Sequence, residues 1–395
     1  MKIGTLTLHL PFNYGNALQQ FSLHRYLREQ GYDAEVLSHW FCENRDEVLH
    51  YHNALKRSWK DRLIVLWNLF NCTGTISKFL QERKLDVWLR RNIRWSKEEG
   101  TDEDFPADSI EHDSVIVGSD QVWNPKYKTS DFFLLPSFPD CVKRIAYAAS
   151  FGTDRFPEGR RTFYREQLRK FRAISVRESS AKEIIEREFG ISATLVCDPT
   201  LLHTKEEWCR LLGFELPRKI KDELVMYLVT PDWRNQWREA IRIAKRARKR
   251  LNVYAFTWSP TYAVSTRKPF TMISSALSNI VVRVRLYLAG VRLHFSADPT
   301  GFVRAIAECD GLITDSFHGM MFATIFGKKC NVTIGEHEER QQMAARLRDF
   351  AHDFGRPEIL TARPDVGAMR ELQITPALSD LITFSKKWLK DAIHG

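Results

Sequence analysis

Cysteine is scarce and scattered in this 395-residue sequence: Cys42, Cys72, Cys141, Cys197, Cys209, Cys309 and Cys330 form no C-x-x-C pair and make an odd total. That excludes the usual spacing of a zinc site and a fully paired disulfide framework, and it suits reduced, mostly buried thiols. No apolar run approaches the ~20 residues that span a bilayer. Met1 to Leu10 passes directly into a strand pattern, without the basic, apolar, small-residue order of a secretory signal. These absences lead to the expectation of a cytoplasmic protein. No G-x-G-x-x-G follows the first strand, so no dinucleotide is implied, and no ligand cluster suggests a metal. Low-complexity segments and short repeats are missing as well. Acidic residues are outnumbered, 49 against 59 basic ones, for a formal charge of +10. That balance points to anionic partners: a phosphorylated substrate, a lipid headgroup surface or nucleic acid.

At this length the chain suggests two domains, each burying its own core. Lys2 to Leu8 reads as a strand, Asn13 to Asn16 as a loop, Ala17 to Gln30 as a helix stopped by Gly31, and Ala34 to Trp40 as a second strand. That is a βαβ opening. Residues 53–97 differ, with an apolar run at Leu63–Phe70 and a basic, Trp-bearing stretch from Ile76 to Trp95. Such helices either lie on anionic membranes or cover a sheet, and both readings stand at this point. Strands then recur at Ser114–Val117, Arg144–Phe151 and Ala173–Glu178, with a helix from Ser179 to Phe189. Asp198-Pro199 marks the end of a first domain.

The second half repeats the pattern, with strands at Leu224–Val229, Val253–Trp258, Arg292–Ala297 and Asn331–Ile334. Its helix from Trp233 to Arg250 is strongly basic, but Trp237, Ile241 and Ala244 form an apolar stripe along it. It reads as the exposed cover of a sheet; no nucleic-acid-binding pattern accompanies it. The expected organisation is an α/β domain at 1–200 with a helical insertion at about 45–105, a second at 201–365, and a helical tail at 366–395.

The chain turns on Gly311-Leu312-Ile313-Thr314-Asp315-Ser316-Phe317-His318-Gly319, a buried strand, a polar turn and a packed helix from Met320 to Phe326. Ligands bind at such turns because the first helical N–H groups are unpaired and favour anions. His318 is the one side chain of that turn with ordinary titration near neutrality; it reads either as a ligand group or as a buried, hydrogen-bonded histidine. In Gly118-Ser119-Asp120-Gln121-Val122-Trp123-Asn124-Pro125, the side chains of Ser119, Asp120, Gln121 and Asn124 beside the aromatic plate of Trp123 suit a sugar. Arg177, at the end of Ser175-Val176-Arg177-Glu178, either clamps an anion with its planar fork or pairs with Glu178 or Asp198. Gly15 permits a tight turn.

Asn13-Tyr14-Gly15-Asn16, the segment 118–124, Ser175–Glu178, Asp198-Pro199-Thr200-Leu201-Leu202 and Thr314–Gly319 occur in this order and spacing. In these motifs the chain resembles the polysaccharide pyruvyl transferase family from about Lys2 to Gly355. Many members carry arginine two residues before the histidine; this chain has Ser316, as in an Asp-Ser-Phe-His subgroup. The resemblance implies two Rossmann-like α/β domains facing a central cleft, a GT-B-like architecture. It also implies phosphoenolpyruvate as donor, a sugar of a surface polysaccharide or of its lipid-linked or nucleotide-linked precursor as acceptor, and a pyruvate ketal as product. No cofactor is expected beyond phosphoenolpyruvate as co-substrate.

On that basis His318 and Asp120 are expected to be catalytic. Arg177, Ser316, His318, Gly319 and Arg346 are expected on the donor, with Arg340 another replacement for the motif arginine. Asn13, Tyr14, Asn16, Ser119, Asp120, Gln121, Trp123 and Asn124 are expected on the acceptor, which falls to the first domain, the donor falling to the second. Contact with the inner face of the cell membrane is a further expectation, and nucleic acid is not expected as a partner. The competing readings are a GT-B-like glycosyltransferase using a nucleotide sugar and a non-catalytic, anion-binding protein of the membrane surface.

Overall fold

A computed structural model describes residues 1–9, 13–40, 74–101, 111–229, 233–255, 281–294, 297–336, 344–354 and 356–395. The apolar run at 63–70 and the segment holding Arg340 lie outside the described residues.

The first half is a seven-stranded parallel sheet in the order β3-β2-β1-β4-β5-β6-β7. Its strands are β1 (Lys2–Leu6), β2 (Asp33–Trp40), β3 (Trp95–Thr101), β4 (Ser114–Val117), β5 (Lys143–Ala149), β6 (Ala173–Val176) and β7 (Thr194–Leu195). The central strands are short apolar runs because both faces are covered: Val115, Ile116 and Val117 are fully buried.

The second half follows with β8 (Lys221–Leu228), β9 (Arg250–Ala255), β10 (Val291–His294), β11 (Cys309–Thr314), β12 (Lys329–Thr333) and β13 (Leu360–Thr361) in the order β10-β9-β8-β11-β12-β13, all parallel. A short β14 (Arg370–Glu371) joins β12 antiparallel. Counted from its own first strand, each sheet runs 3-2-1-4-5-6, the first adding a seventh strand at its edge. That order reverses direction beside the first strand, and the crevice at the carboxyl ends of the two central strands is where such sheets hold ligands. The two switch points are β1/β4 and β8/β11. Two doubly wound parallel sheets are therefore present, as expected of a GT-B-like α/β protein.

The halves share a core. One apolar cluster runs from Leu18 and Phe21 in the helix Tyr14–Glu29 to Phe302 in the helix Pro299–Glu308 and Met320 and Phe322 in the helix Phe317–Ile325. The final helix, Pro376–His394, returns to the first half: Cys197 N donates to Ser385 Oγ at 2.8 Å, and the Tyr32 hydroxyl lies 2.9 Å from His394 Nε2.

The insertion is not all helical. Its helix, Gly74–Asn92, is followed by β3, which pairs with β2 at the sheet edge. The sequence of β3, Trp-Ser-Lys-Glu-Glu-Gly-Thr, hides it because an edge strand shows neither a continuous apolar run nor clean alternation. In the part of the helix whose side chains are described, Leu85, Trp88 and Leu89 are buried, and Trp88 Nε1 donates to Thr300 Oγ1 at 2.9 Å. Among the described residues no helix is long and apolar enough to cross a membrane.

The basic helix Trp233–Ala247 covers the second sheet as its stripe predicts. Ala240, Ile243 and Ala244 are buried, while Arg242 pairs with Glu239 and Arg246 with Asp365.

Candidate functional site

His318 enters from the second half. Thr314 ends β11, its hydroxyl donating to Tyr227 O at 2.6 Å and accepting from Ser316 N at 3.0 Å. Ser316 caps the helix Phe317–Ile325, its Oγ accepting from Gly319 N at 3.3 Å. This is the ordinary reason for serine at such a position. The cap sets His318 on the first turn, and the helix N-terminus points at the first half.

There the imidazole meets Gly15, second residue of the helix Tyr14–Glu29. A Cβ at Gly15 would fall 2.6 Å from His318 Cβ and Cγ. Gly15 lies within the helix and is not among the residues with positive φ, so the turn expected from sequence is not its purpose. It is glycine because only hydrogen leaves space for the histidine.

Around the imidazole the first half builds a compact ionic cluster. Arg177, just beyond β6, donates from Nη1 to Asp198 Oδ2 at 2.7 Å and to Ser119 Oγ at 3.1 Å, and from Nη2 to Asp120 Oδ1 at 2.9 Å. Its Nη1 also lies 3.4 Å from His318 Nε2, and its guanidinium stacks over Phe317 with Cζ 4.4 Å from the ring centre. Glu178 Oε2 is 3.6 Å from Arg177 Nε. Asp198 Oδ2 is 3.6 Å from His318 Nε2, while Asp198 Oδ1 accepts from Thr200 N and Oγ1 at 3.0 and 2.7 Å. Asn16 Nδ2 donates to Asp120 Oδ2 at 3.3 Å. Asp120 itself has a left-handed backbone, φ 77, a conformation that aspartate tolerates better than most residues.

Arg346, from the helix Ala345–Asp353, completes the ring from the second half, with Nη1 3.7 Å from Asp120 Oδ1 and the Gln121 carboxamide beside it. Its Nε has no hydrogen-bond partner, nor does Glu178 Oε2.

The electrostatics follow from burial and pairing. Burial alone would raise the pKa of Asp120, but Arg177, His318 and Arg346 outweigh it and hold the carboxyl at about 2. Burial is likewise outweighed at Asp198, where His318, Arg177 and Thr200 hold the carboxyl below the carboxylate range. At Glu178 burial prevails over Arg177, and the pKa is raised. Burial lowers Arg346, whereas at Arg177 three carboxylates overcome it and raise the pKa. The site thus holds two aspartates ionised on either side of an arginine, a third carboxyl with a raised pKa, and an imidazole against them.

The residues expected from sequence separate into two groups. His318, Arg177, Asp120, Ser119, Asn16, Gln121 and Arg346 converge as described, while Ser316 and Gly319 form the cap of the helix that carries His318. Trp123 does not: it is fully buried, its ring against Phe151 and Phe171 and its Nε1 donating to Phe133 O at 3.3 Å. The expectation of a sugar-stacking plate is corrected here. The turn after Asp120 carries both Val122 and the indole of Trp123 into the core.

Tyr14 is buried too, stacked on Phe302 at 4.7 Å with its hydroxyl donating to Ala297 O at 3.0 Å, so it joins the two halves and offers nothing to an acceptor. Asn13 caps its helix through Asn16 N, and Asn124 closes its own turn, accepting from Lys126 N at 3.0 Å and donating to Gln121 Oε1 at 2.9 Å.

Asp198 is a site residue that the sequence shows only as a domain boundary and as one possible partner of Arg177. The polar Asp-Pro-Thr that follows Val196 and Cys197, just beyond β7, is the signal the sequence offers. Among the described residues no group of histidine, cysteine and carboxylate side chains could hold a metal.

A family model described as "Polysaccharide pyruvyl transferase" matches residues 13–333. No curated protein matches the chain. Among solved structures, UDP-GlcNAc 2-epimerase from Neisseria meningitidis bound to UDP-GlcNAc is similar at a TM-score of 0.47 and 12% identity, over 100% of this chain and 99% of that one. The UDP-GlcNAc 2-epimerase of Methanocaldococcus jannaschii is similar at 0.45 and 11%, over 100% and 93%. Arabidopsis thaliana UGT89C1 complexed with UDP is similar at 0.44 and 10%, over 98% and 95%.

Proposed function

Because the chain belongs to the polysaccharide pyruvyl transferase family, we propose that it forms a pyruvate ketal on a sugar of a surface polysaccharide or its precursor, with phosphoenolpyruvate as donor. The observation that carries this reading is the meeting of His318, from one half, with Asp120, Asp198 and Arg177, from the other, where the switch points of both sheets come together.

The chemistry needs a proton on the enol methylene of the donor, which creates cationic character at the neighbouring carbon. One sugar hydroxyl adds there and loses its proton. Phosphate departs, and the second hydroxyl adds to the resulting cation and loses its proton in turn. Of the two protons released, one balances that taken up by the methylene and the other leaves with phosphate. His318, protonated, supplies the first proton, a role worth on the order of 10²–10⁴-fold for a positioned acid. Asp120 receives the hydroxyl protons. A carboxylate with a pKa of about 2 is a weak base, but it suffices, since a hydroxyl bonded to a cationic carbon is far more acidic. Ionised Asp120 and Asp198 also favour the cation itself.

The donor's anionic groups are better matched to Arg346 and the N-terminus of the helix Phe317–Ile325 than to Arg177. The charge of Arg177 is already met by carboxylates at 2.7, 2.9 and 3.6 Å.

The test is phosphate release from phosphoenolpyruvate in the presence of lipid-linked and nucleotide-linked sugar acceptors, alongside calorimetric titration of the donor. Release that depends on acceptor and falls at least 100-fold in His318→Ala is the expected result. A protein that binds a nucleotide sugar, and neither binds phosphoenolpyruvate nor releases its phosphate with any acceptor, would be a glycosyltransferase of similar fold.

A further inference from the structure

Residues 281–288 form a helical segment leading into β10. Val282 and Leu286 are buried from it into the core of the second sheet with Leu224, Met226 and Ile243. The opposite face is apolar as well. Val281, Val284 and Leu288, one stripe at helical spacing, are 49%, 51% and 78% exposed, and Tyr287 beside them is 79% exposed. No other large apolar side chain among the described residues is more than 49% exposed. A cluster of this kind on a water-soluble surface marks an interaction site.

Charge identifies the partner. From residue 240 to 297 the sequence contains no aspartate or glutamate and eleven lysines and arginines. Several of these are engaged within the fold, as at Arg242 and Lys249, but Arg285 flanks the stripe exposed, and Arg292 is exposed on β10. The bond from Leu251 N to Gly290 O, 3.1 Å, sets the end of the segment beside the turn that carries exposed Arg248. A second copy of the chain docked here would bring these arginines against their own equivalents. Nucleic acid would leave the aliphatic stripe unexplained. An apolar strip flanked by exposed arginines, in a stretch of chain that carries no acid of its own, fits an anionic lipid surface.

We propose that the 281–288 segment docks the protein on an anionic membrane, its stripe entering the headgroup region and its arginines meeting lipid phosphates. This places a membrane contact outside 53–97, the stretch expected from sequence, whose described apolar side chains Leu85, Trp88 and Leu89 lie in the protein core. It is independent of the donor, so its test needs no substrate.

The experiment is co-sedimentation of the full chain with vesicles of phosphatidylglycerol and phosphatidylcholine, against phosphatidylcholine alone. Binding to the anionic vesicles only, weakened by salt, is expected. Tyr287→Ser/Leu288→Ser and, separately, Arg285→Glu should each lower it about tenfold or more. Both variants leave Val282 and Leu286 in place, and circular dichroism checks their folding. Phe384→Ser, an exposed apolar residue on the final helix, should bind as the native chain does. Absence of binding to anionic vesicles, equal loss in Phe384→Ser, or full binding by the double variant would overturn the proposal. So would a concentration-dependent dimer abolished by the double variant, which would assign the stripe to self-association.

Discussion

His318 rests on Gly15 with no space for a side chain between them: a Cβ there would stand 2.6 Å from His318 Cβ and Cγ. Two effects then compete in Gly15→Ala. Alanine in a helix is worth about 1 kcal/mol over glycine, and the clash costs roughly 1–3 kcal/mol because the obstructing atoms include His318 Cβ, fixed to its own helix. The clash should win. Gly15→Ala is expected to lower the unfolding midpoint and to lower turnover more than tenfold by displacing the imidazole. A variant that is stabilised and fully active would show that His318 needs no such close seat.

The two arginines of the site should behave differently when removed. Arg177→Ala strands Asp120, Asp198 and Glu178 without their shared counter-charge, and breaking a buried ionic group in this way costs about 3–5 kcal/mol. Its first symptom is lost stability. Arg346 makes one long ion pair, 3.7 Å to Asp120 Oδ1, and otherwise meets the neutral Gln121 carboxamide. Arg346→Ala should therefore fold nearly normally and lose donor affinity, read by calorimetry with phosphoenolpyruvate. Equal donor binding in Arg346→Ala and native protein would return the donor to other groups.

Trp123 separates packing from recognition. As a fully buried side chain among Phe151 and Phe171, its replacement by alanine should cost about 3–5 kcal/mol. Trp123→Phe should keep most of the stability and leave the Michaelis constant for the acceptor unchanged. A raised Michaelis constant in a well-folded Trp123→Phe would restore the indole to the acceptor site.

The sequence carried the fold further than the site. Short apolar runs such as Val115-Ile116-Val117 read as buried parallel strands because both faces are covered, and proline after Asp298 fixed the start of the helix Pro299–Glu308. β3 was illegible because its edge position asks little of its side chains. At the site, His318, Asp120 and Arg177 stood at strand ends where the fold class directs attention. What sequence could not supply was direction. Trp123 and Tyr14 neighbour functional residues and point into the core, and Asp198 looked like punctuation until the fold carried it beside His318. Gly15 shows the same limit: glycine announces a constraint, but only the partner's position says whether it is backbone angle or space.

Opposite pH slopes from two carboxyls on one guanidinium give a further test. Asp120 has a folded pKa of about 2 against an ordinary 3.8, so its contribution to stability is fully present above the ordinary value. It is lost as pH falls through about 2. The stability gap between native protein and Asp120→Asn should accordingly shrink on acidification from about pH 4 to pH 2. Glu178 is shifted the other way, raised above its ordinary 4.5 by burial. The contribution of its protonated form is present below that value and fades as pH rises through the folded pKa, after which a buried anion with an unpartnered oxygen must be carried. Glu178→Gln, neutral throughout, should gain on the native chain as pH rises from about 4.5. Denaturant unfolding of the three proteins across that range measures both slopes, and parallel curves for native protein and Glu178→Gln would mean that Arg177 keeps Glu178 ionised.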